Sequence, residues 1–331
     1  MNKQEWNPDS LLQLSGQYWA TCTLHAAIKL DVFTAIGDKQ LSGKDIAQKR
    51  NINKEGVTRL LNALTAMNLL EKADDKFSNT PAGKAFLSKD SPDYVGHIIT
   101  HHHHLVESWS QLDQAVKTGA PVRARVSHTS PEWRESFLMG MFNIAMNLAP
   151  VLADKIDLSG MRYLLDLGGG PGTYAIHFCQ NNPRLKATVY DLPATRPFAE
   201  KTIEKFGLTD RIDFMDGNYL EEGIEGIYDV AWLSHILHGG GQKECQRIIR
   251  KTVAALKPGG MIIVHDFILN STMDGPLFPA LFSLNMLLGT SDGQSYSEKQ
   301  ITDMLAKAGV KEIQRLAFQG PNDSGIITGV V

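Results

Sequence analysis

The chain has 331 residues, of which 43% are hydrophobic and 21% are charged, so its composition is that of a folded protein and excludes a disordered one. Its formal net charge of -3 gives no overall attraction to nucleic acid or to an anionic membrane surface. No apolar run reaches the roughly 20 residues that span a bilayer, and the polar start Met-Asn-Lys-Gln-Glu lacks a signal-peptide core. We therefore expect a cytoplasmic protein without a nucleic-acid or membrane partner.

The cysteines and one histidine run bear on metal binding. Cys22, Cys179 and Cys245 are widely separated and odd in number, so they predict neither a disulfide framework nor a cysteine zinc site. The run His101 to His104 lies within a predicted helix, where four consecutive residues point around the circumference and cannot converge on one ion. We predict no metal ion.

The first part of the chain predicts two or more helices followed by a hairpin. Apolar residues at helical spacing predict an amphipathic helix within residues 16 to 36. Ser42, three residues before Asp45, is typical of a helix start, and a second helix begins at Asn53. A short hairpin follows over residues 70 to 79. This order of elements is that of a winged helix.

A winged helix can read DNA, so the charge on its second helix matters. That helix carries Lys54 and Arg59 against Glu55 and then becomes apolar, whereas a major-groove reader has more Arg, Asn or Gln along one face. We therefore interpret residues 1 to 100 as a winged-helix domain whose second helix packs against another surface and does not enter a DNA groove. A cofactor-sensing regulator that binds DNA is the alternative from another class of function.

Residues 101 to 155 predict further helices, rich in methionine and aromatic residues, that link the two domains. This density fits core packing and the lining of a substrate pocket equally well. The candidates for the pocket, two of them further along the chain, are Trp133, Phe142, Met146, Asn285 and Met286.

From residue 156 onward, short apolar runs alternate with segments long enough for crossover helices. Runs that are apolar on both faces belong in a parallel sheet covered on both sides. Residues 156 to 331 are therefore predicted to form an α/β, doubly wound domain. The predicted strands are Tyr163 to Leu167, Ala187 to Tyr190, Ile212 to Met215, Tyr228 to Leu233 and Met261 to His265.

A glycine-rich loop follows the first of these strands. Gly168, Gly170 and Gly172 stand where the strand hands over to a helix, and glycine there permits positive φ and close approach of a ligand. A dinucleotide loop is the alternative, but Thr173 occupies the place of the third glycine that Gly-x-Gly-x-x-Gly needs.

Acidic residues at the strand ends indicate which cofactor the loop holds. Asp191 follows the second strand and is placed to accept both hydroxyls of a ribose. Asp216, with Gly217 and Asn218 after it, ends the third strand near the expected adenine amino group. Asp166 in the first strand can orient the loop or meet the ammonium of a methionine moiety. Together these residues predict S-adenosylmethionine as the cofactor.

The same residues, with Leu256-Lys-Pro-Gly-Gly260, resemble class I methyltransferases. With the winged-helix region and Trp232-Leu-Ser-His-Ile-Leu-His238, nearly the whole chain resembles the small-molecule O-methyltransferases typified by plant caffeate, bacterial polyketide and hydroxyindole enzymes. The resemblance implies a homodimer through the amino-terminal domain, in which each subunit closes part of its partner's pocket. It also places Ser234 on the cofactor.

The resemblance further implies the catalytic residues. His238 matches the family's catalytic histidine and is expected to act as the general base. Asp266 stands where plant members have the glutamate that orients this histidine, and it is one methylene shorter. Ser295 replaces a second family glutamate, and Gly239 to Gly241 replaces the family's Asp-Trp, which predicts a loop of unusual freedom.

These expectations define a function. The chain is predicted to transfer the methyl group of S-adenosylmethionine to a hydroxyl of a small aromatic metabolite, with S-adenosylhomocysteine as the second product. Because Ser295 removes a carboxylate, the alternative keeps the fold and changes the reaction to C- or N-methylation, or to hydroxylation or decarboxylation without methyl transfer.

Overall fold

The computed structural model describes residues 5–124 and 130–331, which form two compact units. The first unit is the chain up to Leu105 together with Glu135–Asn143. The second unit is Val106–Arg134 together with Ile144–Val331.

The first unit combines helices with a small antiparallel sheet whose strand order is β1-β3-β2. Its strands are β1 (Leu41–Ser42), β2 (Leu70–Ala73) and β3 (Lys76–Asn79). Its helices, the last of which continues into the second unit, are α1 (Pro8–Gly16), α2 (Tyr18–Lys29), α3 (Val32–Ile36), α4 (Gly43–Arg50), α5 (Lys54–Ala66), α6 (Pro81–Leu87) and α7 (Gly96–Trp109). Its core is aliphatic with two phenylalanines, Phe33 and Phe77.

The predicted helix starts are confirmed by their caps. The Ser42 side chain accepts a hydrogen bond from the Asp45 N–H, and the Asp45 carboxylate accepts one from the Ser42 N–H, which satisfies two backbone donors at the start of α4. The Asn53 side chain accepts from the Gly56 N–H at the start of α5. The hairpin turns at Asp74, whose φ is 55°. His101 to His104 lie within α7, as predicted.

The prediction of a single helix within residues 16 to 36 is wrong, because this segment forms two helices, α2 and α3. Asp31, between the two helices, takes the left-handed conformation with φ 54°. Arg50 binds both the backbone carbonyl and the carboxylate of Asp31, which holds the break in place. The partner that fixes the break lies 19 residues away, so the local periodicity does not reveal it.

The described part of the second unit is built on an eight-stranded sheet. Seven strands follow the order β10-β11-β8-β7-β4-β5-β6, and β9 pairs with β8. The strands are β4 (Tyr163–Leu167), β5 (Lys186–Asp191), β6 (Ile212–Asp216), β7 (Tyr228–Ser234), β8 (Leu256–Leu269), β9 (Tyr296–Ser297), β10 (Lys311–Arg315) and β11 (Ser324–Val330).

The five predicted strands are present as β4 to β8, and they run parallel to one another. Two features differ from the expectation. First, β11 and β10 run antiparallel at one edge, with Val330 opposite Met261, so the sheet is mixed. Second, β8 already begins at Leu256, which pairs with Tyr228 before an irregularity in the register. The strand is therefore longer at its start than the predicted Met261 to His265.

Helices cover both faces of this sheet, and two buried clusters fill the space between. The helices are α8 (Leu112–Thr118), α9 (Pro131–Lys155, which also runs through the first unit), α10 (Thr173–Asn181), α11 (Arg196–Lys205), α12 (Gln242–Ala254), α13 (Leu277–Gly289) and α14 (Glu298–Lys307). Adjacent residues of β7 show the two-sided burial: Trp232 lies in one cluster and Leu233 in the other. The predicted doubly wound α/β domain is confirmed.

The strand order also positions a ligand. β4 pairs with β5 on one side and with β7 on the other, so the chain reverses direction across the sheet between β4 and β7. Ligands of open α/β sheets bind at the carboxyl ends of the strands beside such a switch point. The glycine loop after β4 and the segment after β7 both lie there.

Among the described residues, α9 is long and apolar enough by length and composition to cross a membrane. Half of its apolar window is buried, and Leu148, Ala149 and Leu152 belong to the core of the second unit. Core helices of folded proteins pass the same test, so we assign α9 to the core.

Candidate active site

The glycine loop connects β4 to α10 by a tight turn. Gly168, Gly170 and Gly172 have φ of 66°, 55° and 76°, the positive values predicted for them. A Cβ on Gly169 would lie 2.6 Å from the carboxyl carbon of Asp166, so the backbone passes directly over that side chain. The loop therefore forms a cradle around the Asp166 carboxylate.

Asp166 offers one free acceptor in this cradle. Its side chain is buried, and Oδ2 accepts a hydrogen bond from the Ala175 N–H at 3.3 Å. Oδ1 is buried without a partner among the described residues. Burial raises the pKa of Asp166 to about 7, the Ala175 bond opposes this rise, and the nearby Asp191 adds to it. A buried acceptor of this kind fits the ammonium of a bound S-adenosylmethionine.

Asp191, at the end of β5, joins the second strand to the glycine loop. Its carboxylate accepts from the Gly170 N–H at 2.8 Å, from the Leu192 N–H at 2.7 Å and from the Thr195 hydroxyl at 3.3 Å. Burial raises the pKa of Asp191, and these three hydrogen bonds oppose the rise. A carboxylate has about four acceptor positions, so one remains for a ribose, and that contact stays a prediction.

The third carboxylate lies at the surface in an ion pair that the sequence pattern does not reveal. Asp216, at the end of β6, binds the Arg196 guanidinium with Nη2 to Oδ2 at 2.7 Å, and this guanidinium lies over the Phe214 ring at 4.8 Å. Gly217 and Asn218 follow directly, and Asn218 Oδ1 accepts from the Leu220 N–H. The adenine contact of these three residues stays a prediction.

His238 lies in a short 3-10 helix, Leu237–Gly239, that follows β7. Its ring atom Nδ1 is 2.8 Å from Oδ1 of Asp266 in the neighbouring strand β8, and the backbone N–H of His238 donates to Oδ2 of Asp266 at 3.4 Å. Asp266 is buried; burial opposes its charge, but His238 and His235 beside it hold its pKa well below the usual value. An ionised Asp266 assigns the proton to Nδ1, which leaves Nε2 of His238 as the basic nitrogen.

Two phenylalanines pack against the His238 ring and a third packs against those two, and the sequence pattern did not single them out. Phe267 stacks on the ring at 6.2 Å, and Phe282 meets it edge-on at 4.8 Å. Phe278 packs against both. Phe278 and Phe282 are four residues apart on α13 and Phe267 follows Asp266, so their spacing was the available signal.

Two further histidines, His235 and His265, lie near the pair of His238 and Asp266. Ser234, expected at the cofactor, has its hydroxyl 2.9 Å from Nδ1 of His265, which is fully buried. Burial holds the pKa of His265 well below its usual value, so the ring is neutral. Nδ1 of His235 lies 3.5 Å from Asp266 Oδ1.

Together His235, His238 and Asp266 have their ligand atoms within 4.8 Å of one another. This spacing would suit a metal ion. The hydrogen bond from His238 to Asp266 accounts for the closest of these contacts, and the absence of a metal stays a prediction.

Hydrogen bonds connect the glycine run after His238 to its surroundings. The N–H groups of Gly239 and Gly240 donate to the carbonyls of Ile236 and Leu237, and the Tyr296 hydroxyl donates to the Gly240 carbonyl at 2.6 Å. A Cβ on Gly241 would approach that of Asp292 to 2.8 Å. The lack of space beside Asp292 explains glycine at position 241, and the predicted freedom of the loop stays a prediction.

Ser295 and the pocket candidates lie as follows. Ser295 is fully buried, and its hydroxyl has no partner among the described residues. Trp133, Phe142 and Met146 lie on α9, where Phe142 belongs to the first unit and the other two to the second. Asn285 and Met286 lie on α13, and Asn285 Oδ1 accepts from Arg123. Their roles in binding substrate stay predictions.

An α/β domain with this glycine loop, carboxylates at the ends of three adjacent strands and a histidine paired with a buried carboxylate has the architecture of a class I methyltransferase. The comparisons with known proteins narrow this class. The family model of the O-methyltransferase domain matches residues 109–311, and that of the O-methyltransferase dimerisation domain matches residues 12–89. The chain belongs to the O-methyltransferase family and is an S-adenosylmethionine-dependent methyltransferase.

Individual relatives agree with this assignment along nearly the whole chain. The chain is 32% identical to 3-hydroxy-5-methyl-1-naphthoate 3-O-methyltransferase of Streptomyces sahachiroi, over 98% of this chain and 95% of that protein. It is 29% identical to the tetracenomycin polyketide synthesis 8-O-methyl transferase TcmO of Streptomyces glaucescens, over 96% of each. The solved structure of PigF with SAH matches with a TM-score of 0.89 at 26% identity, covering 99% of this chain and 100% of that one. The predicted fold, family, reaction class and cofactor are confirmed.

Proposed function

We propose that this protein methylates a hydroxyl oxygen of a small aromatic molecule and that His238 is the general base. The observation that carries the proposal is the 2.8 Å contact between His238 Nδ1 and the buried Asp266 carboxylate. This pairing fixes the tautomer of the imidazole and leaves Nε2 to accept the proton of the acceptor hydroxyl.

The chemistry divides between positioning and proton removal. Bound S-adenosylmethionine supplies a sulfonium methyl; the new O–C bond forms as the C–S bond breaks, and S-adenosylhomocysteine leaves. Holding the acceptor oxygen in line contributes about 7 to 11 kcal/mol. A phenol with a pKa of about 10 is mostly protonated at neutral pH, so a base within hydrogen-bond reach contributes roughly 10² to 10⁴ in rate.

The cofactor residues are assigned by the groups that they offer. The unpartnered Oδ1 of Asp166 accepts from the ammonium, and Asp191 accepts from the ribose hydroxyls. The adenine lies beside the end of β6, and Ser234 contributes from the end of β7. The residues proposed to bind the cofactor are Asp166, Gly168, Gly170, Gly172, Asp191, Asp216, Gly217, Asn218 and Ser234.

The relatives support an aromatic acceptor. The Streptomyces sahachiroi enzyme acts, by its name, on the 3-hydroxyl of a naphthoate, and TcmO on a polyketide. In this chain, the aromatic wall of Phe267, Phe278 and Phe282 around His238 suits a flat ring. Trp133, Phe142, Met146, Asn285 and Met286 are proposed to line the rest of the pocket.

We propose that the protein is a cytoplasmic homodimer formed through a winged-helix domain at residues 1 to 100. The match of residues 12–89 to a dimerisation domain supports the pairing, as do the exposed apolar side chains of Leu12, Tyr18 and Trp19. Three free cysteines suit a reducing compartment. Residues 101 to 155 link this domain to the cofactor domain at 156 to 331.

The test of the base assignment is the variant His238→Ala. With a hydroxylated aromatic acceptor, its turnover is expected to fall by about 10² to 10⁴. Binding of S-adenosylhomocysteine should stay near the wild-type value. Near wild-type turnover would refute the assignment of His238.

A second candidate, transfer to carbon or nitrogen, is favoured by Ser295, which leaves a buried hydroxyl where the family has a carboxylate. The position of the added methyl group in the product, determined by NMR, separates the two reactions.

A further inference from the structure

The cationic residue Arg123 packs against the carboxyl-terminal end of α13. The N–H groups of Val122 and Arg123 both donate to the Leu288 carbonyl, at 3.0 and 3.1 Å. Nη2 of Arg123 donates to the carbonyl and to Oδ1 of Asn285, at 3.2 Å each. Gly289 makes room for the guanidinium, since a Cβ there would lie 2.6 Å from its central carbon. The backbone and side chain of Arg123 are therefore both held against this helix.

The guanidinium has no anionic partner among the described residues. None of the described residues places a carboxylate within 4.0 Å of it, and the remaining residues, 1–4 and 125–129, include no Asp or Glu. The sequence of α13 has no charged residue. Nε of Arg123 is buried and donates to no described residue, and burial lowers the pKa of the guanidinium. A half-buried cation with free donors is costly unless an anion pairs with it.

Arg123 and the proposed base His238 both contact α13, Arg123 through Asn285 and His238 through Phe282. Phe282, whose ring meets His238 at 4.8 Å, precedes Asn285 by three residues on α13. Three residues, or about 4.5 Å of rise along α13, thus separate the residue that contacts His238 from the residue that contacts Arg123. A second link passes through Gly293, where a Cβ would lie 2.6 Å from the His238 carbonyl oxygen and 2.5 Å from Oγ1 of Thr290, the residue after Gly289.

We propose that Arg123 binds a carboxylate of the methyl acceptor, so that the substrate is a hydroxylated aromatic acid with its hydroxyl at His238. This inference rests on the proposed function, which supplies the position of the hydroxyl. The planar guanidinium matches a carboxylate with paired hydrogen bonds, and Asn285 fixes its orientation through Nη2. Arg123 is then the residue that selects acidic over neutral acceptors.

A purely structural role is the competing explanation, because a cation near the carboxyl end of a helix stabilises its last carbonyls. That role accounts for the bond to the Asn285 carbonyl but leaves Nε without a partner. The two explanations differ in what the variants should lose: ligand selectivity in one case and helix stability in the other.

The test compares 1-naphthoate with its uncharged analogue 1-naphthamide, each titrated into the full-length protein saturated with S-adenosylhomocysteine. Neither probe has a hydroxyl, so the result does not depend on methyl transfer. The wild type should bind the acid about 10- to 150-fold more tightly, the range for a charged hydrogen-bonded pair. Arg123→Gln should abolish this preference, and Arg123→Lys should retain part of it.

The control is Lys299→Gln, which removes an exposed positive charge on α14 and should keep the full preference. Equal binding of acid and amide by the wild type, including no detectable binding of either, would overturn the inference. So would an Arg123→Gln protein that keeps the preference, or one that loses thermal stability and both ligands equally. If His238→Ala keeps full turnover while the preference persists, the proposed base fails and the role of Arg123 in binding a carboxylate stands.

Discussion

The two ends of the proposed site, at β4–β6 and at β7–β8, are built by different means. At the cofactor end, the carboxylates of Asp166 and Asp191 are held by backbone N–H groups, Asp166 by Ala175 and Asp191 by Gly170 and Leu192. The exposed Asp216 is the exception, since the Arg196 side chain binds it. At the acid-base end, side chains hold one another, since Asp266 holds His238 and phenylalanine rings pack around it. Backbone cradles tolerate changes in nearby side chains, whereas a side-chain pair is lost when either member changes.

The largest effect expected from this difference is that of Asp266→Asn. The amide cannot keep the ionic partner of His238 and can stabilise the wrong tautomer, so kcat should fall by about 10² to 10⁴. The dissociation constant of S-adenosylhomocysteine, which depends on the other end of the site, should change little. Asp266→Glu, which restores the side chain that plant relatives have, is the matched control and should keep much of the activity. A parallel loss of cofactor affinity in Asp266→Asn would contradict the division into two ends.

The next effect concerns Asp166 and pH. The free carboxyl, with a pKa raised to about 7, is largely protonated at pH 6, whereas an ammonium beside it favours the carboxylate. Binding of S-adenosylhomocysteine should therefore release up to about one proton near pH 6, and affinity should rise with pH until about pH 7.

The raised pKa of Asp166 has the opposite effect on folding stability, which falls as pH rises. Because the folded protein holds this proton more tightly than the unfolded chain, the contribution of Asp166 to stability is lost as pH rises from about 4 to 7.

Calorimetric titrations in buffers of different ionisation enthalpy measure the proton that is released when S-adenosylhomocysteine binds. Asp166→Asn should abolish the release and weaken binding; an unchanged release would exclude Asp166 as the ammonium partner.

How far the sequence predicts each end follows from the same contrast. The glycine loop and the helix caps are formed by residues close in the chain, so their spacing reveals them. The pairing of His238 with Asp266 spans 28 residues and was expected only through a family resemblance. Arg123 meets Asn285 across 162 residues, and the antiparallel strand β11 depends on its pairing with β8; neither leaves a local pattern.

The smallest effect concerns the glycine run after His238. A Cβ on Gly239 meets nothing within 4 Å and its φ is not positive, so Gly239→Ala should change kcat by less than about 2-fold. Gly241→Ala, where the Cβ would collide with Asp292, should be more costly. Steady-state kinetics of the two variants show whether glycine is needed here for steric room or for conformational freedom of the loop. A large loss of kcat in Gly239→Ala alone would show that loop freedom matters to catalysis.

The most direct test of His238 as the base is single-turnover methyl transfer to phenols of graded acidity, measured for wild type and His238→Ala. For a weakly acidic phenol, the variant should be slower by about 10² to 10⁴. For a phenol that is already ionised at the assay pH, the two rates should converge, because no proton remains to be removed. An equal loss across the whole series would contradict the assignment of His238 as the general base.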